Sequence, residues 1–201
     1  MKKRFALLTA LVVIVLGCST PRPASSQNKK PESQATPTTE ASAKAAEAMR
    51  GLRNRLLTSS AEDVGLSGKD AEAKVWGVLM EVAFPSGVST IVSIRDGTAS
   101  LYMSTGGGVL GGYSAREQAR LFVAAAEKHL AEMKLTKSFP YPEVGRLKFY
   151  VLTRDGVYTA EAGEKELVSG QHALSPLFFA GNDVLTGLRT SSEQAKPTGK
   201  P

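Results

Sequence analysis

The chain has 201 residues, 42% of them hydrophobic and 22% charged, with a single cysteine and a formal charge of +6. That length admits one ordinary domain plus extensions, and a lone cysteine excludes an intrachain disulfide framework. Residues 62–189 carry 13 Lys and Arg against 15 Asp and Glu, so the basic surplus lies in the extensions. This excludes a nucleic-acid reader, whose positive charge belongs on the folded domain.

The N-terminus reads Met1-Lys-Lys-Arg4, then an apolar run from Phe5 to Leu16, then Gly17-Cys18. Charged, hydrophobic and small segments in that order form a secretory signal, and twelve residues fall short of the roughly 20 that span a bilayer as a helix. An ordinary signal that happens to contain a cysteine is one reading. The other rests on Val15-Leu16-Gly17-Cys18, which resembles the lipobox of bacterial lipoproteins, although the family more often has Leu where this chain has Val15. The resemblance implies that residues 1–17 are a signal peptide, that Cys18 is acylated, and that the protein sits on a membrane facing outside the cytoplasm. Two or three acyl chains make a stable anchor where one is marginal. Ser19 stands where an Asp favours inner-membrane retention, so the resemblance implies the outer membrane in a cell that has two.

Residues 18–42 are rich in Pro, Ser, Thr and Gln and cannot bury enough surface to offset their ordering entropy, which predicts a disordered tether after the lipidated cysteine. Residues 190–201 have the same character and are expected to form a disordered tail. Between them, 43–189 is expected to be one globular α+β domain.

A leading helix is expected over 43–57, with Ala45, Met49, Leu52 and Leu56 on one stripe and Arg50, Arg53 and Arg55 mostly off it. Its stripe either packs on the domain or, as a basic amphipathic face, lies on anionic lipid. Lys74 to Phe84, Val88 to Ile94 and Ala99 to Ser104 read as strands, joined by Pro85-Ser86-Gly87 and by Asp96-Gly97, a strong hairpin signal. Ser114-Ala-Arg-Glu117 has the form of a capping box, opening a helix to about Met133 with Ala119, Phe122, Ala126, Leu130 and Met133 on one face. Arg146 to Thr153 and Val157 to Ala162 form a hairpin around Asp155-Gly156. Ser175-Pro176 opens a last helix with an apolar stripe of Leu174, Leu177, Phe178, Gly181, Leu185 and Leu188. "VSIRDGT" at 92–98 and "VLTRDGV" at 151–157 suggest a twice-used pattern of hairpin, loop and helix. The expected architecture is a five-stranded, mostly antiparallel sheet, with a three-strand meander, helix, hairpin and helix in order and the helices packed on it. It is loosely similar to the roadblock, longin and profilin-like scaffolds, a resemblance that implies partner binding and dimerisation more than chemistry.

Gly106, Gly108 and Gly111 fit the spacing G-x-G-x-x-G. A dinucleotide site also needs a parallel β-α-β unit and an acidic residue about 20 positions on, whereas the next strand here ends near Asp155, 44 residues past Gly111. No nucleotide or other cofactor is expected. The glycines suit a bulged strand end or a close backbone approach. The functional expectation is a mobile partner-binding loop of Gly106, Gly107, Gly108, Val109, Leu110, Gly111 and Gly112, presenting its two apolar residues.

Catalytic material is sparse. His129 lies beside an apolar helix face and reads as structural, and His172 precedes Ser175, where hydrogen bonding to the cap region explains it. Glu161, Glu164 and Glu166 read as a solvated turn. No metal-ligand spacing and no nucleophile elbow occurs. The segments 75–108, 146–156 and 174–181 are similar to a group of bacterial proteins of unknown function, and that resemblance carries no catalytic residues over. The expectation is a non-enzymatic envelope binding or scaffold module, tethered by lipid and meeting a protein partner or a second copy. The alternatives are a small envelope hydrolase using His172, or an immunity or inhibitor lipoprotein.

Overall fold

A computed structural model describes residues 39–112 and 114–194. Cys18, the signal peptide, the tether up to residue 38 and the tail from 195 lie outside the described residues. Helix α1 (Thr39–Thr58) and the short α2 (Gly68–Glu72) precede four strands, β1 (Val75–Phe84), β2 (Gly87–Ile94), β3 (Ala99–Met103) and β4 (Gly108–Gly112). Helix α3 (Arg116–Lys128) and a 3-10 turn (Leu130–Glu132) lead to β5 (Lys134–Thr136), the hairpin β6 (Arg146–Thr153) and β7 (Gly156–Gly163), then α4 (Glu164–Val168) and α5 (Ser175–Gln194).

The fold is α+β, and its antiparallel sheet has seven strands in the order β4-β3-β2-β1-β6-β7-β5 instead of the expected five. The two strands that sequence missed are the edges. β4 is mostly glycine, which lacks strand propensity, and β5 is three residues long, too short for a periodic signal. β1 holds the centre because its residues are buried on both faces, as the near-continuous apolar run VWGVLMEVAF allows. The two Arg-Asp-Gly turns stand at one end of the sheet on either side of the start of β1: the Arg95 amide donates to Trp76 O, and the Arg154 amide donates to Lys74 O.

Helices α3 and α5 cover one face, over Val78, Met80, Ile91, Phe149 and Val151. Every residue of the expected α3 stripe, Ala119, Phe122, Ala126, Leu130 and Met133, is buried there. Gly181 of α5 sits so close to the sheet that a Cβ would meet Met80 Sδ at 2.7 Å. The opposite face is covered by the C-terminal half of α1 and the segment that follows it, with Leu56, Leu57, Ala61 and Leu66 against Trp76, Leu79, Val92 and Tyr150.

Three local expectations are corrected. Ser114 does not cap α3: the N-cap is Ala115 without a side-chain bond, and Ser114 Oγ donates to Gly187 O of α5. Ser175 is the first residue of α5 and its buried Oγ has no hydrogen-bond partner among the described residues. The helices also run further than composition suggested, α1 from Thr39 and α5 through Gln194. An established helix propagates cheaply into polar residues, and composition reports burial rather than helicity.

Candidate functional site: the glycine edge, a polar cleft and a buried guanidinium cage

The glycine stretch forms the outermost strand on one side of the sheet. A turn at Ser104–Gly107, closed by Gly106 N donating to Met103 O, returns the chain antiparallel onto β3. Gly108 (φ +148°) takes a conformation foreign to other residues, and a Cβ there would lie 2.0 Å from Leu101 O. Leu101 pairs with Val109 and Ala99 with Gly112, so β4 spends one more residue than β3 across the same span. The bulge falls at Leu110–Gly111, where Gly111 (φ +62°) donates its amide to Ser100 Oγ at 3.0 Å. Val109 turns inward onto the α3–α5 core, while Leu110 is left 58% exposed. The expected loop of Gly106 to Gly112 is thus a turn plus a bulged edge strand, and its two apolar residues part ways.

The far side of the sheet holds an open cleft of about 550 Å³ lined by Glu132, Lys134, Lys148, Glu161, His172 and Leu174 among others. It forms where three-residue β5 stops and leaves the end of β7 uncovered. His172 Nδ1 accepts the Leu174 amide at 3.1 Å, the local bond to the cap region that sequence suggested. The neutral ring therefore carries its proton on Nε2 and offers a donor rather than a base. Glu161 is paired with Arg146 and, at 2.8 Å, with Lys148 Nζ. Burial opposes its charge, yet the bonds from Lys148 and Arg146 override that and hold the carboxyl below its ordinary value. Glu166 accepts the Gly163 amide. His129 Nδ1 lies 3.2 Å from Glu132 Oε1, and Thr159 Oγ1 donates to Phe149 O. Among the described residues no group of three His, Cys, Asp or Glu side chains could hold a metal ion.

The most densely bonded site was not anticipated. Arg53, expected off the apolar stripe of α1, is 3% exposed and forks onto Glu81, which is fully buried, through Nε–Oε1 at 2.5 Å and Nη2–Oε2 at 2.9 Å. Thr90 Oγ1 donates to Glu81 Oε1 at 3.0 Å. The guanidinium carbon lies 4.2 Å from the ring centre of Tyr141 and 5.5 Å from that of Tyr150. Burial works against the charge on Arg53, and the bond and field of Glu81 more than restore it, raising its pKa. Burial and then Glu81 push the Tyr150 hydroxyl up, and that hydroxyl donates to Pro140 O at 2.7 Å. The readable signal was Glu81 itself, since one carboxylate inside a strand of buried apolar residues requires a buried partner.

Comparison with known proteins finds no matching family model, no matching curated protein and no matching solved structure. Among the described residues no helix is long and apolar enough to cross a membrane.

Proposed function

We propose that the protein is a cell-envelope lipoprotein, anchored through Cys18 and facing outside the cytoplasm, whose folded part is a non-enzymatic binding or scaffold module. On this reading it shares the working principle of the roadblock, longin and profilin-like scaffolds, a sheet layered with helices that meets other proteins, and it does so at the glycine edge. One observation carries the reading: Leu110 is lifted out of an edge strand that has neither charge nor proline to guard it. The opposite edge differs, because β5 is only three residues long, begins with Lys134 and is followed by Lys137. The bulge prevents β4 from serving as a flat template for strand addition, so the partner meets an apolar knob. The His172 tautomer and the ion-paired Glu161 support a binding role over hydrolysis.

The test is a photo-activatable residue at position 110 of the full chain in its own envelope, with position 121 on α3 as the control, because Leu110 and Leu121 are equally exposed at 58%. A discrete adduct from 110 and none from 121 is expected, and its mass separates a second copy from another protein. No adduct at 110 removes the glycine edge from the reading. Anchoring is tested separately: Cys18→Ser should move the protein from the membrane to the soluble fraction, and a variant that stays on the membrane contradicts lipidation at that residue.

A further inference from the structure

Seven large apolar side chains are exposed among the described residues, and three of them gather at one end of the sheet. Phe84, 44% exposed, closes β1 opposite Gly87. Val82 pairs with Leu147, which brings the last residues of β1 beside the start of β6, where Val144 is 63% exposed just ahead of Gly145. The Glu164 amide donates to Gly145 O, so α4 begins there, and Val168, 57% exposed, closes that helix one turn on. Scattered single apolar residues need no explanation. Three from separate connections, converging on one end with no described element over them, form a surface.

Helix α1 begins at this same end. The Ser104 amide donates to Val88 O, tying the turn between β3 and β4 to the start of β2, and Gly106 in that turn lies against Ala45 and Ala46 of α1. Its other end reaches the start of β1, where Leu56 and Leu57 join Trp76 and Ile94. The chain that leads back to Cys18 therefore leaves α1 at the same end of the sheet as Phe84 and Val144, on the side of the β3–β4 turn, and only twenty residues separate Cys18 from Thr39.

We propose that this end is a lipid-contacting face, with Phe84, Val144 and Val168 seated in the interfacial layer of the membrane that holds the anchor. The inference rests on the anchoring reading. A tether of that length holds the face at high effective concentration over the bilayer, so three modest side chains suffice where they would not bind lipid from solution. The nearby charges fix the kind of contact. Arg146 and Lys148 are taken up by Glu161, Lys165 stands with Glu143, Glu164 and Glu166, and the first half of α1 adds Lys44 and Arg50 against Glu40 and Glu47. That balance gives no attraction to anionic lipid, so the contact is apolar and indifferent to salt.

The experiment uses the full-length acylated chain in phosphatidylcholine vesicles. The acyl group occupies Cys18, the only native cysteine, so Phe84→Cys, Val144→Cys, Val168→Cys and, at the opposite end, Asp155→Cys each supply one thiol for an environment-sensitive dye. Flotation with the vesicles establishes the anchor first, and a chain that fails to float overturns the anchoring reading. In a chain that floats, dyes at 84, 144 and 168 should shift to the blue and be quenched by lipid-borne nitroxide several-fold more than the dye at 155, at low and high salt alike. Equal or absent quenching at the two ends overturns the lipid face while the anchor stands, and leaves this end to a protein. Quenching that needs phosphatidylglycerol and fades in salt overturns the apolar contact.

Discussion

Arg53→Ala should lower the stability of this protein by about 3–5 kcal/mol, the range for removing one partner from a buried ion pair. Glu81 is fully buried, so its carboxylate would be left without a countercharge bonded to it, with the Thr90 hydroxyl as its one remaining hydrogen-bond donor among the described residues. At roughly 2–4 °C per kcal/mol for a chain of this size, thermal unfolding should move down by on the order of 10 °C. The loss measures an abandoned charge more than the worth of the pair, and a second variant separates the two. Arg53→Ala with Glu81→Gln should regain much of it, because the neutral amide costs less to bury and its carbonyl still accepts from Thr90. Arg53→Lys should rescue poorly, since an ammonium cannot fork onto both carboxylate oxygens or stack flat on Tyr141. A loss for Arg53→Ala within the ordinary surface range of about 0.5 kcal/mol would mean that the pair does not hold α1.

The reason for an ion pair at this point lies in the weakness of the helix it secures. Of the twenty residues of α1 only Ala46, Arg53, Leu56 and Leu57 are buried, too little apolar surface to define a register on the sheet. Glu81 stands in a polar row that crosses five strands, Tyr102, Thr90, Glu81, Lys148 and Glu161 in turn, each opposite the next. Lys148 is committed to Glu161 at one end of the row, which leaves Glu81 to be met from above. A one-residue rotation of α1 would bring Leu52 or Asn54, neither of them a cation, over that carboxylate, so the pair selects the register even where an apolar contact would be as stable.

Sequence and structure agree where burial imposes a period and part where it does not. β6 runs from Arg146 to Thr153 as read, and the α3 stripe is wholly buried, because alternation and the helical repeat both report which face is covered. α1 is rotated slightly from the expected stripe: Leu56 is buried as expected, Ala45, Met49 and Leu52 are half-buried, and the buried row runs through Ala46 and Arg53. No hydropathy pattern can place a helix whose central buried residue is an arginine. The capping box at Ser114 failed because tertiary contact overrode a local motif, with Ser114 drawn to α5. At the glycine edge the special backbone was legible and the strand was not, since seven residues with five glycines carry no side-chain pattern to read. The parting of Val109 and Leu110 follows from the bulge, which depends on where β3 lies and on nothing within the stretch itself.

Gly108→Ala tests that edge through the backbone. A Cβ at 108 would lie 2.0 Å from a main-chain oxygen, Leu101 O, and no rotamer change can relieve that, so β4 must separate from β3. Strain at φ +148° adds to the clash, and together they should cost about 2–4 kcal/mol. Gly107→Ala is the matched control: it is strained at φ +81° but has open space around its Cβ, so it should cost only about 1–2 kcal/mol. The two variants should also differ in where the loss falls. Because β4 pairs only with β3, hydrogen exchange in Gly108→Ala should show amides of β4 opening while those of β1 and β6 stay protected. If Leu110 is the knob that a partner grips, the position 110 adduct should vanish in Gly108→Ala, where the strand is unpaired, and persist in Gly107→Ala, where it is not. Global unfolding in both variants would show that the edge is part of the cooperative core, and that Leu110 cannot move without it.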